Sequence, residues 1–333
     1  MGILHILWIC LGRLWGAIRR IPPTPSEPQA RLLAQKSAAS VYLTAPTTPL
    51  RAVKVSKNST MLRREYELHV EIALAFRGLH EGLANGGVKL DLPCVPECYH
   101  FYPKISDSHY DRMFKSINGI SKKAAGFTME YIRPFSEAHA RQLIRRHLPN
   151  LRHRDVHNLD EEHFLAKVYM GDTKPPLTHK RTADLRDRIA YVDLLNSEQV
   201  NIRALSSTMG AALAIFHWRC GVDAAGVEFI LGRGNKGNIK LWLMDFGECR
   251  TFTSAPQDVM TQLVDAVVHN EPYWPKYINL YGLRDIWTTF RTTYLQISGY
   301  ILRGRSDDSG LRSLPPLFMN ELERLRGPRR LMD

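Results

Sequence analysis

Cysteine is scarce: five residues in 333, from Cys10 to Cys249, an odd number that builds no disulfide framework. Such usage fits a reducing compartment, so a cytoplasmic location is expected. Long apolar runs are also lacking, because no stretch reaches the roughly 18 residues that cross a bilayer. The nearest, Ile3 to Ile18, is broken by His5, Gly12, Arg13 and Gly16. A secretory signal is not expected, since Arg13, Arg19 and Arg20 lie within or after the apolar stretch rather than before it. Myristoylation is not expected either, with Ile6 where Ser or Thr is needed. Acidic residues are in deficit, 33 against 45 Lys and Arg, for a net charge of +12. That excess leaves nucleic acid, anionic lipid and phosphorylated ligands open as partners.

What is present is ordinary globular material, 44% hydrophobic and 23% charged, which excludes wholesale disorder. At roughly 150 residues per domain the length suits two domains or one two-lobed unit. Leu4, Leu7, Trp8, Leu11, Trp15 and Ile18 share one helical face. A terminal helix packed on the domain, or a dispensable extension, is the expected reading; a helix lying on a membrane surface is the alternative. Pro22, Pro23, Pro25 and Pro28 form a stiff connector after it. Residues 1–28 are therefore read as leader and linker.

The main fold is expected to begin near residue 29. Strands are read at Ser40–Leu43, Leu50–Val55, Val95–Tyr102 and Gly126–Ile132. A helix is read at about Met61–Leu83, capped by Ser59 or Thr60 and stopped by Gly86-Gly87. Further helices are expected at Ser136–His147, Val200–Cys220, Asp258–Val268 and Leu283–Leu302, with short strands at Val227–Leu231 and Lys240–Phe246. Sheet first and helices after is an α+β order.

Lys54 ends the strand triplet Ala52-Val53-Lys54, and Glu65 follows eleven residues later on the predicted helix. In a protein kinase a strand Lys grips phosphates and is steered by a helix Glu. An ammonium suits the task as a compact point charge. Phe127 to Ile132 is an apolar strand where a kinase hinge would offer backbone groups to adenine, so Glu130 joins Ala52, Lys54 and Glu65 as a cofactor-binding candidate. Leu241-Trp242-Leu243-Met244-Asp245-Phe246-Gly247 is the strongest local signal, a buried strand delivering an Asp that could ligate Mg²⁺.

Two segments compete for the catalytic loop. His153-Arg154-Asp155 matches the kinase triplet literally but follows Glu130 too closely for the helices that should intervene. Asp223, after the long helix that holds His217 and 22 residues before Asp245, is the better catalytic base. Five residues on, where the kinase pattern places a second metal ligand, stands Glu228 in place of Asn. The phosphate-covering loop departs further. Aligning on Val41 puts Ala34, Lys36 and Ala39 where three glycines would let backbone approach phosphate.

Four segments carry a family resemblance: Phe164 to Gly171, Met209 to Trp218, Asp223 with Val227-Glu228-Phe229-Ile230-Leu231-Gly232, and Leu241 to Phe246. Asn270 to Pro275 adds a fifth. Together they resemble a fungal family whose members are labelled "zinc finger protein", over roughly residues 120–300. More distantly, the arrangement resembles the aminoglycoside-phosphotransferase branch of protein-kinase-like folds. The resemblance implies a fungal origin and a kinase-like domain and supplies no activity.

The zinc label finds little support in the residues. Cys94, Cys98 and His100 form one cluster, but a structural zinc site needs a second pair, and Cys220 and Cys249 are isolated. Zinc is not expected. Arg141, Arg145, Arg146, Arg152 and Arg154 crowd one stretch and Arg324, Arg326, Arg329 and Arg330 another; without interleaved aromatics they read as solvated faces, and nucleic acid is not expected.

The expectation is thus a bilobal, protein-kinase-like α+β fold: a small, mainly-β N-lobe over 29–133 and a larger, mainly-α C-lobe over 134–333. Its function is read as a pseudokinase-type regulatory or binding module with an unidentified protein or small-molecule partner. An atypical phosphotransferase is the alternative, using ATP and Mg²⁺ with Lys54 on phosphate, Glu65 orienting it, Asp223 as base, and Asp245 and Glu228 on metal. A basic DNA-associated regulator, linked to a biosynthetic gene cluster, is the third reading.

Overall fold

The computed structural model describes residues 30–35, 38–44, 50–86, 90–104, 114, 117, 120–121, 123–136, 165–171, 187–234, 237–252, 256–270, 272–277, 283–303 and 310–326. The N-terminal helix and proline connector, the Arg141–Arg154 stretch with the helix read there, Gly87, and Arg329 and Arg330 lie outside them.

The first sheet is built from β1 (Arg31–Gln35), β2 (Ser40–Leu43), β3 (Arg51–Ser56), β4 (Cys98–Tyr102) and β5 (Ala125–Glu130), in the order β1-β2-β3-β5-β4, antiparallel throughout. The two-residue period of β3 sends Val53 and Val55 to one face, against Tyr102 and Phe114. Ala52 goes to the other face with Leu62, Phe127 and Met129.

Helix α1 (Ser59–Asn85) crosses that second face. Its cap is Asn58, whose side chain accepts the Met61 N–H at 3.1 Å, so Ser59 and Thr60 stand inside the helix rather than at its cap. Leu62, Glu65, His69, Ile72, Phe76, Leu79 and Leu83, three or four residues apart, make its buried stripe.

A second sheet lies in the C-terminal half: β6 (Leu165–Tyr169), β7 (Asp187–Tyr191), β8 (Glu228–Arg233) and β9 (Ile239–Met244), in the order β7-β6-β8-β9. β6 and β7 run parallel; the other pairs are antiparallel. β8 and β9 fall on the strands read at Val227–Leu231 and Lys240–Phe246, whereas β6 and β7 are additional to those read from the sequence. A five-residue strand with Lys167 at its centre carries too weak a pattern to be read from sequence.

Helices α2 (Val192–Ser197), α3 (Ile202–Ala214), α4 (Pro256–His269), α5 (Leu283–Arg303) and α6 (Leu314–Arg326) complete the lobe. α3 widens into a π-helix over Ile215–Cys220 and closes at Gly221, whose φ of 69° suits a residue without a Cβ. The largest apolar cluster fills this lobe, with Trp218, Trp274, Trp287, Phe290, Tyr294 and Phe318 fully buried. Gly210 lets α3 meet α5 closely: a Cβ there would lie 2.4 Å from the Phe290 carbonyl oxygen. The fold is α+β and two-lobed, a β-rich N-terminal sheet with one long helix joined to a mainly helical C-terminal lobe. Among the described residues no helix is long and apolar enough to cross a membrane.

Candidate functional site

Lys54 shares its sheet face with Ala52, so β3 presents its ammonium towards α1. Glu65 stands in the second turn of α1. Lys54 Nζ lies 2.5 Å from Glu65 Oε1 and 3.1 Å from Asp245 Oδ1, which brings three sequence-predicted residues together from three elements. All three side chains are largely shielded, at 13%, 10% and 20% exposed. Burial alone would lower the Lys54 pKa, yet the carboxylates of Asp245 and then Glu65 outweigh it, and the ammonium is held above its ordinary value.

Asp245 follows β9 with φ at 67°, in the left-handed region that a non-glycine residue seldom takes. Such a conformation costs on the order of 1–3 kcal/mol and persists where the surroundings over-determine it. Those surroundings are visible. Phe246 is fully buried, its ring 4.8 Å from His69 of α1 and 6.0 Å from Phe216 of the π-helix. His69 Nε2 sits 2.8 Å from the Pro96 carbonyl; a carbonyl only accepts, so that nitrogen carries the hydrogen. Gly247 passes so near α1 that a Cβ would lie 3.1 Å from Glu65 Oε2.

Asp223 is placed differently from a free catalytic base. Its side chain is fully buried and both oxygens are engaged. Oδ1 accepts the backbone N–H groups of Ala225 at 3.1 Å and Arg250 at 2.9 Å. Oδ2 accepts Arg250 Nε at 2.8 Å and Gln262 Nε2 at 2.9 Å. Four donors on one carboxylate make a structural anchor joining the loop after the π-helix to the segment after β9 and to α4.

Glu228 opens β8 directly across from Met244, one residue from Asp245. Its carboxylate lies 3.3 Å from Lys167 Nζ on β6, and it raises the Tyr273 phenol pKa, an effect in which burial is the larger cause. Ala52 is buried beside Lys54. Glu130 is not part of the group. It pairs with Arg51, on the face opposite Lys54, and its N–H bonds to the Glu97 carbonyl at 2.7 Å. Ala34 lies on β1 and Ala39 just before β2, the hairpin where a phosphate-covering loop would stand; Lys36 lies outside the described residues, as does the His153-Arg154-Asp155 triplet.

Lys167, Arg250 and Gln262 escaped the reading of the sequence. Lys167 sits in one of the family-like segments, which was the one signal available; Arg250 and Gln262 had none. The cysteines Cys94, Cys98, Cys220 and Cys249 are free thiols, and burial pushes the Cys98 pKa up to about 12. Among the described residues no three His, Cys, Asp or Glu side chains are grouped as a metal site.

A family model described as "Zinc finger protein" matches residues 241–306, from β9 into the residues beyond α5. The same label is borne by the family that the motifs resemble. No curated protein matches the chain. Among solved structures, the chain is similar to "WaaP in complex with acyl carrier protein", at 12% identity over 88% of this chain and 89% of that one, with a TM-score of 0.29, a value at which the likeness carries no argument.

Proposed function

We propose that the protein is a kinase-like binding module that holds a nucleotide polyphosphate with Mg²⁺ at Lys54, Glu65 and Asp245 and does not transfer phosphate efficiently. The reading rests on one contrast: the Lys54 ammonium is set between Glu65 and Asp245, while the Asp223 carboxylate is buried and bound by four donors. Lys54 would take phosphate oxygens and Asp245 a hard cation; Mg²⁺ needs one or two carboxylates, with phosphates supplying the rest. Bound Mg²⁺ would neutralise phosphate charge. Transfer also needs a carboxylate that positions the attacking hydroxyl. Asp223 is committed to Arg250 and Gln262, and Glu228 is tied to Lys167. Alanine at positions 34 and 39 further weakens a phosphate grip that favours bare backbone.

Thermal unfolding with ATP and Mg²⁺ tests the reading. The wild type should gain several degrees at saturating ligand, a gain lost in Lys54→Ala and Asp245→Asn. No shift in the wild type overturns it. The atypical phosphotransferase remains the second reading, favoured by the intact Lys54–Glu65 contact; steady turnover of ATP, abolished by Asp245→Asn, would select it.

A further inference from the structure

A cavity of about 560 Å³ lies apart from the Lys54 group, and none of Lys54, Glu65 and Asp245 lines it. Its walls come from α1, the 91–97 segment, the end of β5 and the start of β9. The volume lies within the range of about 300–1,000 Å³ usual for small-molecule sites.

Its polar groups are unevenly satisfied. Arg77 is ion-paired with Glu97, Lys240 lies 3.8 Å from Asp91, and Arg51 stacks over the Tyr99 ring at 4.4 Å. Arg133 is exposed and solvated. The half-buried Glu130 carboxylate accepts only the Glu97 N–H, at 3.3 Å, and has no ion-pair partner among the described residues. Burial first, and then the Glu97 carboxylate, push its pKa up, against Arg133 and the hydrogen bond from Glu97. Cys94 and Tyr99 are pushed up as well, by burial first, and Glu130 adds to both. Beside them Trp242 is 4% exposed, and its indole N–H has no acceptor among the described residues. A wall thus combines a carboxylate without an ion pair among the described residues, felt only at a distance by the exposed Arg133, with three aromatic residues (Tyr99, Tyr131 and Trp242) and an unmatched donor. A carboxylate among aromatic faces selects an organic cation, and an orphan N–H selects an acceptor oxygen.

We propose that this cavity binds an organic ammonium compound, its cation held by Glu130 among the rings of Tyr99, Tyr131 and Trp242, and an oxygen of the same molecule accepting the Trp242 indole N–H. The site is separate from the nucleotide site and stands or falls without it.

Calorimetric titration of the full chain with tyramine, 4-hydroxyphenethyl alcohol and 4-hydroxyphenylacetate, without nucleotide, tests this. Tyramine should bind and its two analogues should be weaker by about tenfold or more, the worth of one charged hydrogen bond. Glu130→Gln, near-isosteric and checked for unchanged thermal unfolding, should weaken tyramine by about tenfold; Trp242→Phe should weaken it by a few-fold. The proposal is overturned if tyramine gives no binding up to its solubility limit, if the alcohol or the carboxylate binds as tightly, or if folded Glu130→Gln binds tyramine like the wild type.

Discussion

Arg250 closes on Asp223 from two directions, its backbone N–H donating to Oδ1 at 2.9 Å and its Nε to Oδ2 at 2.8 Å. The carboxylate is wholly buried and the arginine side chain 56% exposed, so the arginine forms the solvent side of the anchor. A buried charge stripped of its ligands is far more costly than the same pair absent altogether.

Asp223→Ala should therefore cost about 3–5 kcal/mol in urea unfolding, because four donors lose their acceptor. Arg250→Ala should cost only about 1 kcal/mol, with three donors left and half the arginine already in water. A catalytic-base role with no structural role predicts little loss in either. Asp223→Asn, if folded, should keep the thermal shift with ATP and Mg²⁺.

Alkaline pH should weaken the fold through Lys54. Its pKa is raised above the ordinary 10.5, so the stabilisation is complete below about 10.5 and is lost as pH rises through the higher folded value. Urea unfolding of wild type and Lys54→Met across that range should give curves that converge as pH rises. Parallel curves would remove the Lys54 contribution.

Acid should weaken it through two buried histidines. Burial lowers His217 from 6.5 to about 3 and His69 from 6.5 to about 4. The unfolded chain takes up protons first, so stability is level above about pH 6.5 and falls as pH drops from there towards these values. Each contributes a slope of up to about 1.4 kcal/mol per pH unit. His69→Gln should reduce the slope between pH 6 and 4 by about one proton, read from unfolding free energies at several pH values.

Gly210→Ala should cost about 3 kcal/mol, because its Cβ would meet the Phe290 carbonyl oxygen at 2.4 Å and the Tyr294 nitrogen at 3.2 Å. Backbone cannot yield as a side-chain tip can. Gly299→Ala, with nothing within 4 Å, should be neutral or slightly stabilising by the same denaturation measurement.

Lys54, Glu65 and Asp245 were legible because each depends on a local pattern: a strand period, a helix start, an apolar run ending in an acid. The bonds that redefine Asp223 were not, since Arg250 is 27 and Gln262 39 residues away, and nothing local marks either as a ligand of that carboxylate. The Lys167–Glu228 pair spans 61 residues and depends on β6 lying beside β8. Helix α1 was legible in extent but not in its cap, because Asn58, Ser59 and Thr60 are all competent caps and only backbone geometry chooses.

The ring contacts of Phe246 have a mechanical consequence. His69 is seated by the Pro96 carbonyl below and by Phe246 and Phe127 at its sides, and it lies four residues along α1 from Glu65. Any outward swing of α1 would drag that ring off its seat and open a void around Phe246, which packed interiors resist. The Lys54–Glu65 contact is therefore a standing fixture rather than a latch.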